Sequence, residues 1–551
     1  MTNIIELQDV EPAPAFTSLP KPLESPSGLL LLASLSVFVV LALLNPNSKS
    51  KLATSRWATR REKNRAKQLA IDEIKKREFN KVALSTGMPG QSSGQYLPDC
   101  QRSVGIVGIP GVGKTYALEP YLLSALLQGF PVVVFDFKYP SQTSVLLPIA
   151  QHLGYDVRIF APGFDESDVC NPLDFVEDEN DLLRLRGLSK VFNSNSSGSR
   201  FRTENAFFER AGDNLATGCL SIAKASKYPD LAMAQAVLRL PDLANRLMHA
   251  ENLPSYTRMA FEQVISLADS EKTVASIIGT AQGNFNQFMS PLLLKALVGK
   301  TTIPLDLNKK QLIVLGMDKE RREAVAPLLA SVLHLLITRN VSKPRTTPLI
   351  VSIDELPTLY LPGLVQWINE YRDQGLCLLL GFQNISQMEK AYGREVSKSI
   401  FGSCATKLMF NPGEPESARL FSDYLGDEEI RYTETSRSRG SGKTSTNTQP
   451  QRRIRKLLAP ESFLRLPTGN AIVISPAVGN KQQSSIPFKT KIKVPKQTVK
   501  LLNKSKANWQ RLQPLLATRS TQQPVDEAAL QSRLRCAEQW IPPVPGKLDS
   551  F

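Results

Sequence analysis

The residues Gly108-Ile109-Pro110-Gly111-Val112-Gly113-Lys114-Thr115 satisfy G-x-x-x-x-G-K-[ST] at every fixed position. An apolar run, Ser103–Val107, precedes them, and the apolar-periodic Tyr116–Leu127 follows. A loop of this kind folds around an anion with its N–H groups turned inward, and the helix N-terminus adds partial positive charge. In that geometry Lys114 reaches the β- and γ-phosphates and the Thr115 hydroxyl holds Mg²⁺. The expected nucleotide-binding set is Gly108, Ile109, Pro110, Gly111, Val112, Gly113, Lys114, Thr115 and Asp354, with ATP and Mg²⁺ as the ligands.

The acids that such a loop needs stand about 240 residues downstream. Pro348–Ile353 is an apolar strand ending in Asp354-Glu355. Asp354 is expected to orient Mg²⁺ through water and Glu355 to polarise the attacking water. A second apolar strand, Leu376–Phe382, runs into Gln383, whose amide at the strand tip could contact the γ-phosphate. Arg372 stands before that strand; by its own surroundings it is an ordinary surface arginine or one supplied to a neighbour's nucleotide. Asp136 and Lys138 end another apolar strand and either face the ligand or pair with each other. Gly440-Ser441-Gly442-Lys443-Thr444 imitates half a phosphate loop, but Arg437 occupies its first glycine position and no apolar strand precedes it. It is not a nucleotide site.

These groups require a parallel sheet, because apolar strands alternating with helices deliver side chains to one loop edge. Pro131–Asp136, Tyr155–Phe160, Gln311–Gly316, Thr406–Phe410 and Ala471–Ser475 are the other expected strands. Between about 178 and 300 strand signals vanish, and Asp181–Phe192, Glu204–Lys227, Leu231–Leu247, Tyr256–Leu267 and Lys272–Phe288 have helical period. Phe207-Phe208 are expected in the core of this inserted helical domain. The predicted division is 1–26, a short acidic extracytoplasmic segment; 27–45, a transmembrane helix; 46–95, a basic juxtamembrane segment; 96–177, the first part of the nucleotide domain; 178–300, the helical insertion; 301–480, its second part, with 431–455 disordered; and 481–551, a basic tail with one helix over Asp526–Trp540.

Composition fits that division. With 551 residues, 42% hydrophobic and 21% charged, the chain exceeds one core. Net charge is +16, and residues 49–81 at net +8 and 481–511 at net +9 account for it. Basic flanks suit polyanions, lipid headgroups or nucleic acid. Ser27–Leu44 carries no charge and as a helix would be about 27 Å long, enough for a bilayer core. The Lys/Arg excess after it places the C-terminal side in the cytoplasm. Six scattered cysteines and three histidines offer no usual zinc spacing.

Taken in order, these motifs resemble those of the type IV coupling proteins of conjugation and type IV secretion, the TraG/TraD-type membrane ATPases. The resemblance runs from Ser55-Arg56-Trp57-Ala58 through the phosphate loop, Asp136-Phe137-Lys138, Asn171-Pro172-Leu173-Asp174-Phe175 and Phe207-Phe208. It continues with Asp354-Glu355, Arg372 and Gly375, Gln383 and Gln387, and Tyr392-Gly393, closing at Leu457–Pro460 and Leu466-Pro467. It implies a RecA-like P-loop NTPase domain with an inserted all-helical domain, anchored in the bacterial inner membrane by an N-terminal transmembrane helix and assembled as a homo-hexamer. ATP would bind between subunits, and the ring would deliver a relaxase-bound single-stranded DNA to the secretion channel, contacting single- or double-stranded DNA, relaxosome, channel components and lipid. Arg372 would then be the trans finger and Gln383 the γ-phosphate sensor. The chain departs from the family in showing one span where two are usual, and Phe137 where proline is favoured. A DNA-segregation or repair translocase of the FtsK/HerA kind and a nucleotide-gated docking receptor with little motor output are the competing readings.

Overall fold

Short β-branched and leucine-rich runs between glycines and polar turns become the strands of one sheet. The computed structural model describes residues 53–78, 81–89, 91, 93–195, 206–440 and 443–544. The acidic segment 1–26 and the apolar stretch 27–45 lie outside them. A small antiparallel pair, β1 (Leu84–Ser85) and β2 (Tyr96–Leu97), comes first. Then follow β3 (Val104–Val107), β4 (Val132–Asp136), β5 (Asp156–Phe160), β6 (Gln311–Gly316), β7 (Leu349–Ile353), β8 (Leu376–Phe382) and β9 (Thr406–Met409). A separate ribbon of β10 (Asp427–Gly440) and β11 (Lys443–Lys456) precedes β12 (Asn470–Ile474) and β13 (Phe488–Lys491).

The main sheet has nine strands in the order β13-β12-β9-β3-β8-β7-β4-β6-β5. Strands β5, β6, β4, β7, β8, β3 and β9 are mutually parallel, while β12 runs antiparallel to β9 and β13 antiparallel to β12. Because β8 and β7 separate β3 from β4, the C-terminal ends of all four lie on one edge. Both faces are covered, so the strands read as unbroken apolar runs. The helix Arg322–Val341 is apolar all round for the same reason. Among the described residues it is the one helix long and apolar enough to cross a membrane, and 78% of its apolar window is buried inside the protein.

The insertion is all helical: Leu182–Asn195, Ala206–Ala225, Leu231–Leu238, Leu243–His249, Ser255–Ser266, Glu271–Asn286 and Pro291–Leu297. The predicted helix Leu231–Leu247 is two, interrupted at Pro241. The chain's outward and return passages are stitched by the Asn171–Phe175 motif. Asn171 N–H donates to the Thr301 hydroxyl at 2.9 Å, its amide donates to the Pro229 carbonyl at 2.6 Å, and Asp174 accepts from Thr301 N–H at 3.1 Å. Phe207 corrects an expectation. Neighbours on a helix point about 100° apart, so only one of Phe207 and Phe208 turns inward. Phe208 packs against the core, whereas Phe207 is 50% exposed and meets Phe208 edge-on at 5.3 Å.

Two segments are more ordered than their composition suggests. Within 431–455, predicted to be disordered, residues 431–440 and 443–455 belong to the β10–β11 ribbon, whose fourteen-residue strands are each about 45 Å long. Its pairs are polar: Tyr432 donates to Gln451 at 2.9 Å, and Glu429 lies 3.5 Å from Arg431 and 3.6 Å from Arg452. A ribbon with no apolar face has no hydrophobic alternation to betray it, but its Thr, Tyr and Ile content favours strand. Of the false half-loop, Gly440 ends β10 and Lys443 and Thr444 begin β11. The basic tail likewise contributes β13 and the helices Lys496–Arg519 and Glu527–Trp540. The first covers the helix Ser141–His152, burying Leu502, Trp509, Leu512 and Leu516. The second docks on the helical domain, where Arg533 grips Asp230 at 2.6 Å with both side chains 6% exposed.

The basic segment after residue 53 is also tied down. Its helix is Arg60–Lys76, opened by a capping box between Thr59 and Glu62. Arg56 pairs with Glu62 at 2.6 Å, Ser55 N–H donates to Asp427 at 3.1 Å, and Ala58 N–H donates to Pro487 at 2.9 Å.

Candidate nucleotide site

The loop from Gly108 to Gly113 joins β3 to the helix Lys114–Leu127, which opens directly at Lys114. Gly111 (φ 82°) and Gly113 (φ 105°) adopt left-handed conformations that only glycine takes without strain. A side chain at Gly108 would strike Phe410 at 2.7 Å, so the loop is held close to the strand behind it. At Gly111 a Cβ would meet nothing within 4 Å, which leaves the mouth of the loop open. The 410–413 turn braces the loop from one side: Ile109 N–H donates to Asn411 at 3.0 Å.

Parallel pairing of β3 with β8, and of β8 with β7, brings the distant motifs to this mouth. Lys114 is 8% exposed, and its ammonium donates to the carbonyl of Phe382, the last residue of β8, at 3.1 Å. Burial lowers its pKa, and the charges of Glu355 and Asp354 oppose that shift. Burial in turn raises the pKa of both acids, while Lys114 pulls each back. One half-neutralised cluster is thus formed from residues 114, 354 and 355. Gln383 joins it: its amide donates to Glu355 at 3.3 Å and accepts from Gln387 at 3.2 Å. A buried carboxylate with a raised pKa, an amide fixing one of its oxygens and an open anion loop together suit proton transfer beside a phosphate.

The remaining candidates separate. Asp136 reaches the same edge, where it feels the charge of Asp354, and its side chain is hydrogen-bonded to Thr143 rather than to Lys138. It accepts from Thr143 N–H at 2.9 Å and from the Thr143 hydroxyl at 2.8 Å, closing the first turn of the helix Ser141–His152. Lys138 is exposed, and its charge is felt by Asp354 and Glu355. Arg372 lies before β8, at the opposite edge of the sheet, 42% exposed and paired with Asp373 at 3.1 Å. With β8 seven residues long, some 20 Å of strand separates it from its own chain's loop.

Several contributors went unread in the sequence. Gly381 is one, since a side chain there would lie 2.2 Å from the Asp354 carbonyl. A glycine inside an apolar strand was its available signal. Gln142, buried near Asp354 with both polar atoms of its amide lacking a hydrogen-bond partner among the described residues, carries no such mark.

The residues 242–479 match the family model described as the type IV secretion-system coupling protein DNA-binding domain. The conjugal transfer protein TraG of Rhizobium radiobacter is 30% identical over 151 residues, 27% of this chain and 23% of that protein. The coupling protein TraD of Escherichia coli (strain K12) is 35% identical over 77 residues, 14% of this chain and 11% of that one. The matched stretch thus spans about a quarter of these relatives or less. Among solved structures, the plasmid coupling protein TrwB in complex with a non-hydrolysable ATP analogue aligns over 74% of this chain and 87% of its own, with a TM-score of 0.55 at 16% identity. TrwB in complex with ADP and Mg²⁺ aligns over 72% and 86%, with a TM-score of 0.54 at 18% identity. At that identity the likeness is one of fold, a RecA-like NTPase sheet with its helical insertion. Motifs, family model, relatives and fold all point the same way: this chain is similar to the type IV secretion-system coupling proteins over residues 242–479 and shares its fold with TrwB.

Proposed function

We propose that this chain is a membrane-anchored ATPase that couples ATP hydrolysis to recruiting and moving a relaxase-bound single-stranded DNA, with or without protein cargo, into a type IV secretion channel. The observation that carries the enzymatic part is the meeting of Lys114, Asp354, Glu355 and Gln383 at one sheet edge, from positions up to 269 residues apart. The open mouth at Gly111 and the acid pair beside Lys114 fit a magnesium-bound triphosphate.

On this reading Lys114 exchanges the Phe382 carbonyl for phosphate oxygens. Thr115 and, through water, Asp354 hold Mg²⁺, which when bound neutralises phosphate charge. Glu355 accepts the proton of the attacking water, and Gln383 holds its carboxylate in line and registers whether a terminal phosphate is present. Arg372, too far to serve its own loop, serves that of the next copy in a hexameric ring. The basic segments 49–81 and 481–511 supply charge for lipid and for DNA phosphates, so DNA binding should weaken with salt.

Phosphate release by the full chain in lipid or detergent, with and without single-stranded DNA, tests this. The expected result is DNA-stimulated hydrolysis that Glu355→Gln abolishes while nucleotide still binds. Hydrolysis indifferent to Glu355→Gln would overturn the site assignment, and hydrolysis indifferent to DNA the coupling.

A further inference from the structure

The Gly108–Thr115 loop accounts for phosphates only, and the surface beside it holds an unassigned groove. We propose that this groove receives the nucleoside of the bound nucleotide, stacking its base on Tyr116. The inference rests on the nucleotide reading above.

The argument begins with the sheet. The groups that face a terminal phosphate, Asp354, Glu355 and Gln383, follow β7 and β8 on one side of β3. A nucleotide lying across the loop with its terminal phosphate there must carry its nucleoside to the other side, towards β9, β12 and β13. On that side is an open groove of about 800 Å³, lined by Tyr116, Ser93, Gly94, Lys491, Lys493 and Lys496. That volume suits a small ligand. Hydrogen bonds tie it to the loop itself. Gly469 N–H donates to the Val112 carbonyl at 2.9 Å, and Ile492 N–H donates to the Gly469 carbonyl at 2.8 Å. A Cβ on Gly113 would lie 3.5 Å from the Gly469 Cα. The segment that forms the groove's lysine wall is therefore the next layer behind the phosphate loop.

The chemistry suits a nucleoside. Tyr116 sits two residues after Lys114 and is 48% exposed, unlike the buried Tyr121 of the same helix, so its ring has a face to offer. Base–aromatic stacking contributes about 1–3 kcal/mol. The three lysines bring positive charge where the ribose and its phosphate attachment would pass. Gln91 and Gln497, the amides on the rim, are hydrogen-bonded to each other. With the rim amides held to each other, the face of Tyr116 carries the proposed recognition, and adenine and guanine nucleotides should bind alike.

Titration calorimetry with Mg²⁺ and three probes, ADP, GDP and inorganic tripolyphosphate, tests this on the full chain. Tyr116→Ala should weaken ADP and GDP about tenfold, leave tripolyphosphate unchanged, and be rescued by Tyr116→Phe. Equal loss for ADP and tripolyphosphate would mean a disturbed helix start, and no loss for ADP an idle ring; either overturns the proposal. If unaltered protein binds ADP no better than tripolyphosphate, the groove contributes nothing and the proposal falls while the phosphate loop stands. If it binds none of the three, the phosphate-loop reading fails and takes this one with it.

Discussion

The nucleotide edge and the C-terminal segment from Lys496 to Trp540 are built on opposite plans. At the edge, a few polar side chains of fixed type are delivered by strand ends, and almost any exchange there changes the chemistry. In the C-terminal segment, two amphipathic helices lie against the helix Ser141–His152 and the helical domain, burying Leu502, Trp509, Leu512, Leu516, Cys536 and Ala537. Polar ties add to these, among them Gln513 to Glu166 at 2.7 Å and Arg519 to Asp168 at 3.3 Å, and the buried ion pair is that of Arg533, whose fork closes on Asp230 at 3.0, 3.1 and 2.6 Å. Tyr228 lies under that guanidinium at 4.9 Å. The edge therefore should be sensitive in rate and tolerant in stability, and the segment the reverse.

The sharpest break of that contrast would come from Lys114→Ala. It should reduce ATP turnover by at least about 100-fold with little change in melting temperature, because it removes a buried ammonium whose desolvation is unfavourable. Arg372→Ala should cost about 10³-fold in turnover of an assembled ring. Mixing the Lys114→Ala and Arg372→Ala proteins should restore part of the activity, since some interfaces then pair an intact loop with an intact arginine. No recovery in the mixture would remove Arg372 from the trans role.

Next in size is Arg533→Ala, which leaves Asp230 buried without its partner. A loss of about 3–5 kcal/mol in denaturant unfolding is expected. ADP affinity at 10 °C, where the protein stays folded, should be unchanged. A large fall in that affinity would show that the segment shapes the site directly.

Glu119 gives the smallest effect and lies where the two regions meet. Burial pushes its pKa up to about 7, Lys506 of the C-terminal segment opposes that, and Asp354 and Asp136 of the edge reinforce it. A carboxyl whose folded pKa lies above its unfolded one contributes stability in full below the unfolded value near 4.5, and that contribution is lost as pH rises through 7. Glu119→Gln should therefore stabilise the protein by about 1 kcal/mol or more at pH 8 and by little at pH 4.5. A pH-independent effect would mean that Glu119 is ionised throughout.

The same contrast explains what could be read in advance. Gly108–Thr115 and Asp354-Glu355 are legible as strand-end motifs, because a phosphate and metal site of the proposed kind would need those residue types there, and the sheet brings them to one edge. The strands themselves are legible because a sheet covered on both faces needs unbroken apolar runs. Residues whose work depends on a distant partner were not. Nothing near Arg533 announces Asp230, which is 303 positions away and also caps the helix Leu231–Leu238. Phe207-Phe208 and the β10–β11 ribbon failed for a third reason: residue type indicates affinity for a core or a strand, but not which side of a helix faces inward or whether a polar strand finds a partner.

The clamp at Asp230 bears on how force could pass through the molecule. Two chain passages, at Asn171–Phe175 and at Thr301, would by themselves make a swivel on which the helical domain turns freely. The third passage grips the residue next to Pro229, whose carbonyl Asn171 already holds. With that rotational freedom restricted, a displacement of the kind the proposed hydrolysis would begin at the sheet edge should reach the helical domain as torque rather than be lost as slack.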